Sequence, residues 1–143
     1  MSQIPQTIPG LIAAAAQNYP QRIAIREAGV ELSFAALDAL RLQAARALIS
    51  VGINAGDRVA VWAPNLPEWV MLEFGCALAG VVLVTVNPAF RAQELEYVLK
   101  QSRAAGVFVV EAFRGNPMRA TVQQVAPQCT ELRHVLHFEQ WDA

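Results

Sequence analysis

Lysine is almost missing from this chain. Lys100 is the single one among 143 residues, so the remainder of the 11 basic side chains are arginines, and 12 acidic residues bring the net charge to −1. The basic residues stand apart and form neither run nor stripe, which excludes the usual electrostatic footprint of a nucleic-acid binder. Glycine is thin and scattered at 8 residues. Neither G-x-G-x-x-G nor G-x-x-x-x-G-K-[ST] occurs, so the common phosphate cradles are absent. Cysteine is limited to Cys76 and Cys129, far apart and in no ligand-like spacing, and both read as reduced packing residues. The N-terminus Met1-Ser2-Gln3-Ile4-Pro5 has no cationic segment followed by an apolar core, so a cytoplasmic location is expected.

Hydrophobic residues, by contrast, are in excess. They make up 55% of the chain without glycine, where a soluble domain averages about 45–50% with glycine included. One domain of this length can bury roughly two thirds of its surface. The excess therefore predicts apolar surface that meets something else, such as a partner, another copy or the rest of a longer polypeptide. A membrane is the remaining candidate, because Trp69–Val86 carries only Glu73 as a charge. The segment changes character at Gly80, from a helical spacing to the β-branched run Val81–Val86, and no Lys or Arg flanks it closely. It reads as a buried helix, a glycine stop and a buried strand, not as a transmembrane span.

The same reasoning organises the rest. Thr7 caps a short helix that ends before Tyr19-Pro20, and Ile23–Ile25 with Val30–Leu32 alternate around Ala28-Gly29 as a hairpin. Ser33 caps a helix with Leu37, Leu40, Ala44, Leu48 and Val51 inward and Asp38, Arg41 and Arg46 outward, closed by Gly52. Strands are predicted over Arg58–Trp62, Val81–Val86, Gly106–Val110 and His134–Phe138, with helices opening at Pro67, carrying Leu95, Val98 and Leu99 inward, and covering Met118–Val125. Strands alternating with helices imply right-handed crossovers and an α/β fold, a mainly parallel sheet flanked by helices.

Chemistry is scarce on this scaffold. Lys100 stands one turn after Glu96 and is expected to pair with it. His134 and His137 are three apart on a strand and point to opposite faces, so with Cys129 they make no plausible metal site. Ser33 and Ser50 lack a neighbouring base, and Glu68 is explained by the start of its helix. No catalytic and no metal-ligating residue is assigned. Two loops look functional, Ala63–Leu66 and Asn87–Arg91, because each follows the carboxyl end of a predicted strand, where ligands of parallel sheets bind. Trp62 and Trp69 are expected to anchor the first of them as core rings.

At these loops the sequence resembles the adenylate-forming acyl-CoA synthetases. Leu32–Asp38 looks like their "TYAELD" helix start, Gly52–Val61 like "GVGPGDRVAI" and Pro64–Trp69 like "PNSPEW". Ala79–Val82 with Val86–Pro88 is similar to "AGAVVVPLNP", and Glu94–Leu99 to "ELAYIL". Departures are Ala36, which removes the glutamate of a capping box at about 0.5 kcal/mol, Leu66 in place of a common serine, and Ala89 where many members carry a basic residue, with Arg91 two positions later.

The resemblance implies that residues 1–143 are the N-terminal subdomain of an AMP-dependent acyl-CoA synthetase, cut before its phosphate-binding loop. The parent would use ATP, Mg and CoA to turn a fatty or other carboxylic acid into an acyl-adenylate and then a thioester. The fragment would bind none of these cofactors and would be inactive. Its expected partners are the remaining subdomains and further copies of itself. Within the chain, the resemblance points to Asn87, Pro88, Ala89 and Arg91 as the surface where CoA approaches, Arg91 being the nearby cation able to grip a phosphate. The rival reading is a non-catalytic module of the same fold that binds itself or a partner.

Overall fold

The computed structural model describes residues 5–141. Helix α1 (Ile8–Asn18) starts where Thr7 Oγ1 accepts the Gly10 N–H at 3.1 Å, and it carries Pro9 in its first turn. Strands β1 (Ile23–Glu27) and β2 (Val30–Ser33) form an antiparallel hairpin. Its turn residues Ala28 and Gly29 both have positive φ, at 44° and 87°, as a two-residue turn matched to strand twist requires. Ser33 Oγ then accepts the Ala36 N–H at 3.2 Å and opens α2 (Phe34–Ser50), so the serine caps the helix without the missing glutamate.

The remaining chain winds a parallel sheet from β3 (Arg58–Trp62), β4 (Val82–Thr85), β5 (Gly106–Val109) and β6 (His134–His137) in the order β4-β3-β5-β6. Crossovers run through α3 (Pro67–Ala79), α4 (Ala92–Ser102) and α5 (Met118–Val125). Given right-handed crossovers, the reversal of direction after β4 puts α3 on one face and α4 with α5 on the other. Helices α1 and α2 pack on α3, while α4 packs on α5. Both faces are thus covered, and β5, in the interior of the sheet, is buried at every residue. The segment Trp69–Val86 resolves into α3, a left-handed Gly80 and β4, and no described helix is long and apolar enough to cross a membrane.

Three expectations need correction. Arg41 is not on the outer face of α2: it is 4% exposed and lies in the stripe Leu37, Arg41, Ala44, Ala45, Leu48 against α3. Its Nε donates to Asp38 Oδ1 at 2.8 Å, and its Nη1 is buried without a partner. Asp38, one turn earlier on the same helix, balances the charge that burial would otherwise penalise. Trp69, second, is only half-buried at the edge of the core, whereas Trp62 is fully enclosed at 0% exposure. Val51, third, is exposed and not inward, because it closes α2 as its C-cap beyond the last packed turn.

Candidate functional site

The sheet's two ends differ in chemistry. At the amino ends of the strands, Arg58 donates to the carbonyls of Ser102, Gly56 and Arg103, and Arg133 Nη2 lies 2.9 Å from Asp57 Oδ2. The Asn54 N–H, donated to the Asp57 carboxylate, holds that carboxyl below its ordinary pKa, with Arg133 adding to the effect. Arg58, Arg133 and Asp57 there are committed to tying loops together.

At the carboxyl ends lie the loops after β3, β4 and β5. The Asn87–Arg91 loop is fixed from three sides. The buried Trp62 Nε1 donates to the Asn87 carbonyl at 3.0 Å, reaching across from β3. Asn87 Oδ1 accepts the Ala89 N–H at 2.9 Å, a side-chain turn of the kind asparagine favours. Asn116 Nδ2 donates to the carbonyls of Pro88 and Phe90 at 3.2 and 3.0 Å. Asn116 is 4% exposed, one of the few buried polar residues among the described ones. Glu94 Oε2 accepts the Arg91 N–H at 2.9 Å and starts α4.

Asn87, Ala89 and Arg91 are exposed and Pro88 is half-buried, so the predicted residues share one accessible loop. Among the described residues the Arg91 guanidinium makes no hydrogen bond or ion pair. The loop Ala63–Leu66 plays a different part: Ala63 is buried, Leu66 joins the core, and the segment sets the start of α3.

The sequence reading missed the third loop. Neighbouring strands β3 and β5 lead to crossovers on opposite faces, the place where doubly wound sheets open a crevice. After β5, Phe113 and Asn116 exchange backbone hydrogen bonds around Arg114 and Gly115, whose φ values are 47° and 75°. Arg114 lies over the Phe113 ring at 5.1 Å and is exposed. The turn signal Arg114-Gly115-Asn116-Pro117 a few residues after an apolar strand was the available clue. Asn116 joins this turn to the Asn87–Arg91 loop.

Other candidates are not brought together. Lys100 pairs with Glu96 on α4, away from the loops. His134 and His137 sit in the edge strand β6, and no group of three or more His, Cys, Asp or Glu among the described residues could hold a metal. Burial, reinforced by Glu73, pushes the Cys76 thiol up to about 12, and burial raises Cys129 as well, so neither offers a thiolate at neutral pH.

The sequence matches the profile of the family described as AMP-binding enzyme over residues 12–143. The chain belongs to that family. This AMP-binding enzyme chain is 38% identical over 132 residues to the protein designated acyl-CoA synthetase YngI of Bacillus subtilis, covering 91% of itself and 24% of that protein. It is 36% identical over 125 residues to the mitochondrial medium-chain acyl-CoA ligase ACSF2 of Rattus norvegicus, covering 86% of itself and 20% of the relative. The structure of a fatty acyl CoA synthetase of Mycobacterium tuberculosis superposes with a TM-score of 0.85 at 25% identity, over 93% of this chain and 26% of that one. The chain therefore spans a quarter or less of the curated relatives named, and its α/β sheet is an N-terminal portion of the adenylate-forming enzyme fold.

Proposed function

We propose that residues 1–143 are the N-terminal subdomain of an AMP-forming acid:CoA ligase, and that the parent activates a fatty acid with Mg-ATP to an acyl-adenylate before transferring the acyl group to CoA. The observation that carries this reading is the family match over nearly the whole chain, to relatives named as acyl-CoA synthetases that are several times longer. The medium-chain name of ACSF2 favours an acid of that class. Asn87, Pro88, Ala89 and Arg91 form the surface where CoA approaches. This role is supported by a loop held rigid by Trp62 and Asn116 that presents an uncommitted cation at the carboxyl end of the sheet. Arg114 offers a second cation on the adjoining turn.

ATP, Mg and CoA act in the parent, and the groups that stabilise pyrophosphate departure lie outside this chain. The cleft of about 520 Å³ between α2 and β6, lined by apolar side chains such as Leu48, Phe108 and Trp141 and by the polar Gln43, His137 and Gln140, suits the remaining subdomains. A cytoplasmic location belongs to the same proposal, and cell fractionation tests it against the mitochondrial one named for the rat relative.

Arg91→Ala in the parent enzyme tests the site. We expect the KM for CoA to rise about tenfold, the size of one charged hydrogen bond to phosphate, with acid-dependent pyrophosphate exchange as the control for folding. An unchanged KM for CoA would remove the loop from the CoA surface.

A further inference from the structure

Asn116 spends a buried amide on an exposed loop. Its Nδ2 carries two donors, and they go to the carbonyls of Pro88 and Phe90, which flank Ala89 at the middle of that loop. Asn116 is the one side chain among the described residues that bonds both. The N–H groups of the loop are met locally: the Asn87 carbonyl accepts from Phe90 at 3.0 Å, Asn87 Oδ1 accepts from Ala89, and Glu94 accepts from Arg91. Carbonyls of a surface loop are ordinarily left to water, which satisfies them without fixing the chain. Here a side chain only 4% exposed is used instead, while Asn87, Ala89 and Arg91 stay open to solvent. Ordering such a loop costs chain entropy, and the cost is recovered where the loop must meet a ligand in one shape.

The aim of Asn116 is itself fixed from several sides. Its backbone pairs with Phe113 across Arg114 and Gly115, both at positive φ. Arg114 holds this left-handed conformation without being glycine, a strained state that persists where the surroundings over-determine it. Before the turn, Glu139 Oε1 accepts the Glu111 N–H at 2.7 Å and Arg119 Nη1 pairs with Glu111 Oε2 at 3.0 Å. After it, Met118 is enclosed at 0% in the core. We propose that Asn116 is a positioning residue: through its amide the turn after β5 sets the shape of the Asn87–Arg91 loop and, with it, the affinity of the parent enzyme for CoA. This rests on the reading of that loop as the CoA surface, and it assigns the control of its geometry to a residue outside the loop that touches no ligand.

Asn116→Ala and Asn116→Asp in the parent enzyme test the role, the second keeping the shape of the side chain while removing both donors. The KM for CoA should rise about tenfold in each, with kcat and acid-dependent pyrophosphate exchange within about twofold of wild type. Gly115→Ala is the milder variant. Its Cβ would meet nothing within 4 Å, so it acts only by opposing the φ of 75° that aims Asn116, and the KM for CoA should rise about threefold. In the 143-residue chain, hydrogen exchange of the Ala89 and Phe90 amides should quicken about tenfold in Asn116→Ala while that of β3 and β5 is unchanged. Loop amides that stay as protected as in wild type overturn the proposal. So does a fall in exchange activity and melting temperature with the KM for CoA unmoved, the mark of a merely structural residue. If Arg91→Ala raises the KM for CoA and the Asn116 and Gly115 variants do not, the positioning role falls and the CoA surface stands. If none of the three positions moves that KM while the loop amides exchange faster, the CoA surface falls, and the control of CoA affinity with it.

Discussion

Arg41 shows how residue type and residue position can disagree. The spacing Leu37, Arg41, Ala44, Leu48 places position 41 on the inward stripe of α2, yet its charge argues for the surface. Tertiary packing resolves the conflict: small residues on both helices bring α2 and α3 close, and Asp38 supplies the counter-charge from the same helix. Removing that counter-charge should therefore cost more than removing the pair's cation. Asp38→Ala is expected to lower unfolding free energy by about 3 kcal/mol, whereas Arg41→Met, which also removes the unpartnered buried N–H, should be close to neutral or stabilising. Denaturant melts of the two variants check this. Equal losses would show that the pair works as an ordinary ion pair with its guanidinium in water. Asn116 is the same lesson at the site: an asparagine in a turn signal reads as loop chemistry, and only the fold directs its amide to the Pro88 and Phe90 carbonyls.

Among the elements, the α2–α3 pair depends on one glycine. A Cβ on Gly75 would lie 2.6 Å from Ala44 Cβ, with the Ala45 nitrogen and the Arg41 carbonyl oxygen at 3.2 and 3.3 Å. Gly→Ala inside a helix normally gains about 1 kcal/mol from backbone entropy. Here the overlap with a neighbouring helix should outweigh it, for a net loss of about 1–3 kcal/mol and a melting temperature several degrees lower. Thermal unfolding of Gly75→Ala measures the sign, and a gain would mean that the helices part at little expense. Nothing in the sequence around Gly75 announces this contact, because close approach is a relation between two helices. Element types and order, in contrast, were legible: Ser33, Pro67 and Gly80 punctuate the chain at the ends of the periodic segments, and α5 spans Met118–Val125 as the pattern predicts. Strand ends moved by a residue or two, where ladder hydrogen bonds decide.

At the scale of the whole molecule, apolar surface is left on the outside. Both edges of the sheet are unpaired among the described residues, Val82 on β4 is 51% exposed, and the cleft beside Trp141 is open. The isolated chain is expected to self-associate and to catalyse no fatty-acid-dependent pyrophosphate exchange, since its single lysine is paired and it has no glycine-rich anion cradle. Light scattering beside the exchange assay tests both statements. A clean monomer would remove the expected role of the apolar excess, and exchange above background would mean that the catalytic groups lie within these residues. The sequence by itself determined the α/β class, the order of elements and the position of the Asn87–Arg91 loop, because periodicity, caps and glycine or proline stops act over a few neighbouring residues. Only the tertiary structure decided that Trp62 and Asn116 hold that loop, that the Arg114 turn adjoins it, and that Arg41 is enclosed. Those relations join residues brought together by strand order and helix packing, which no local spacing records.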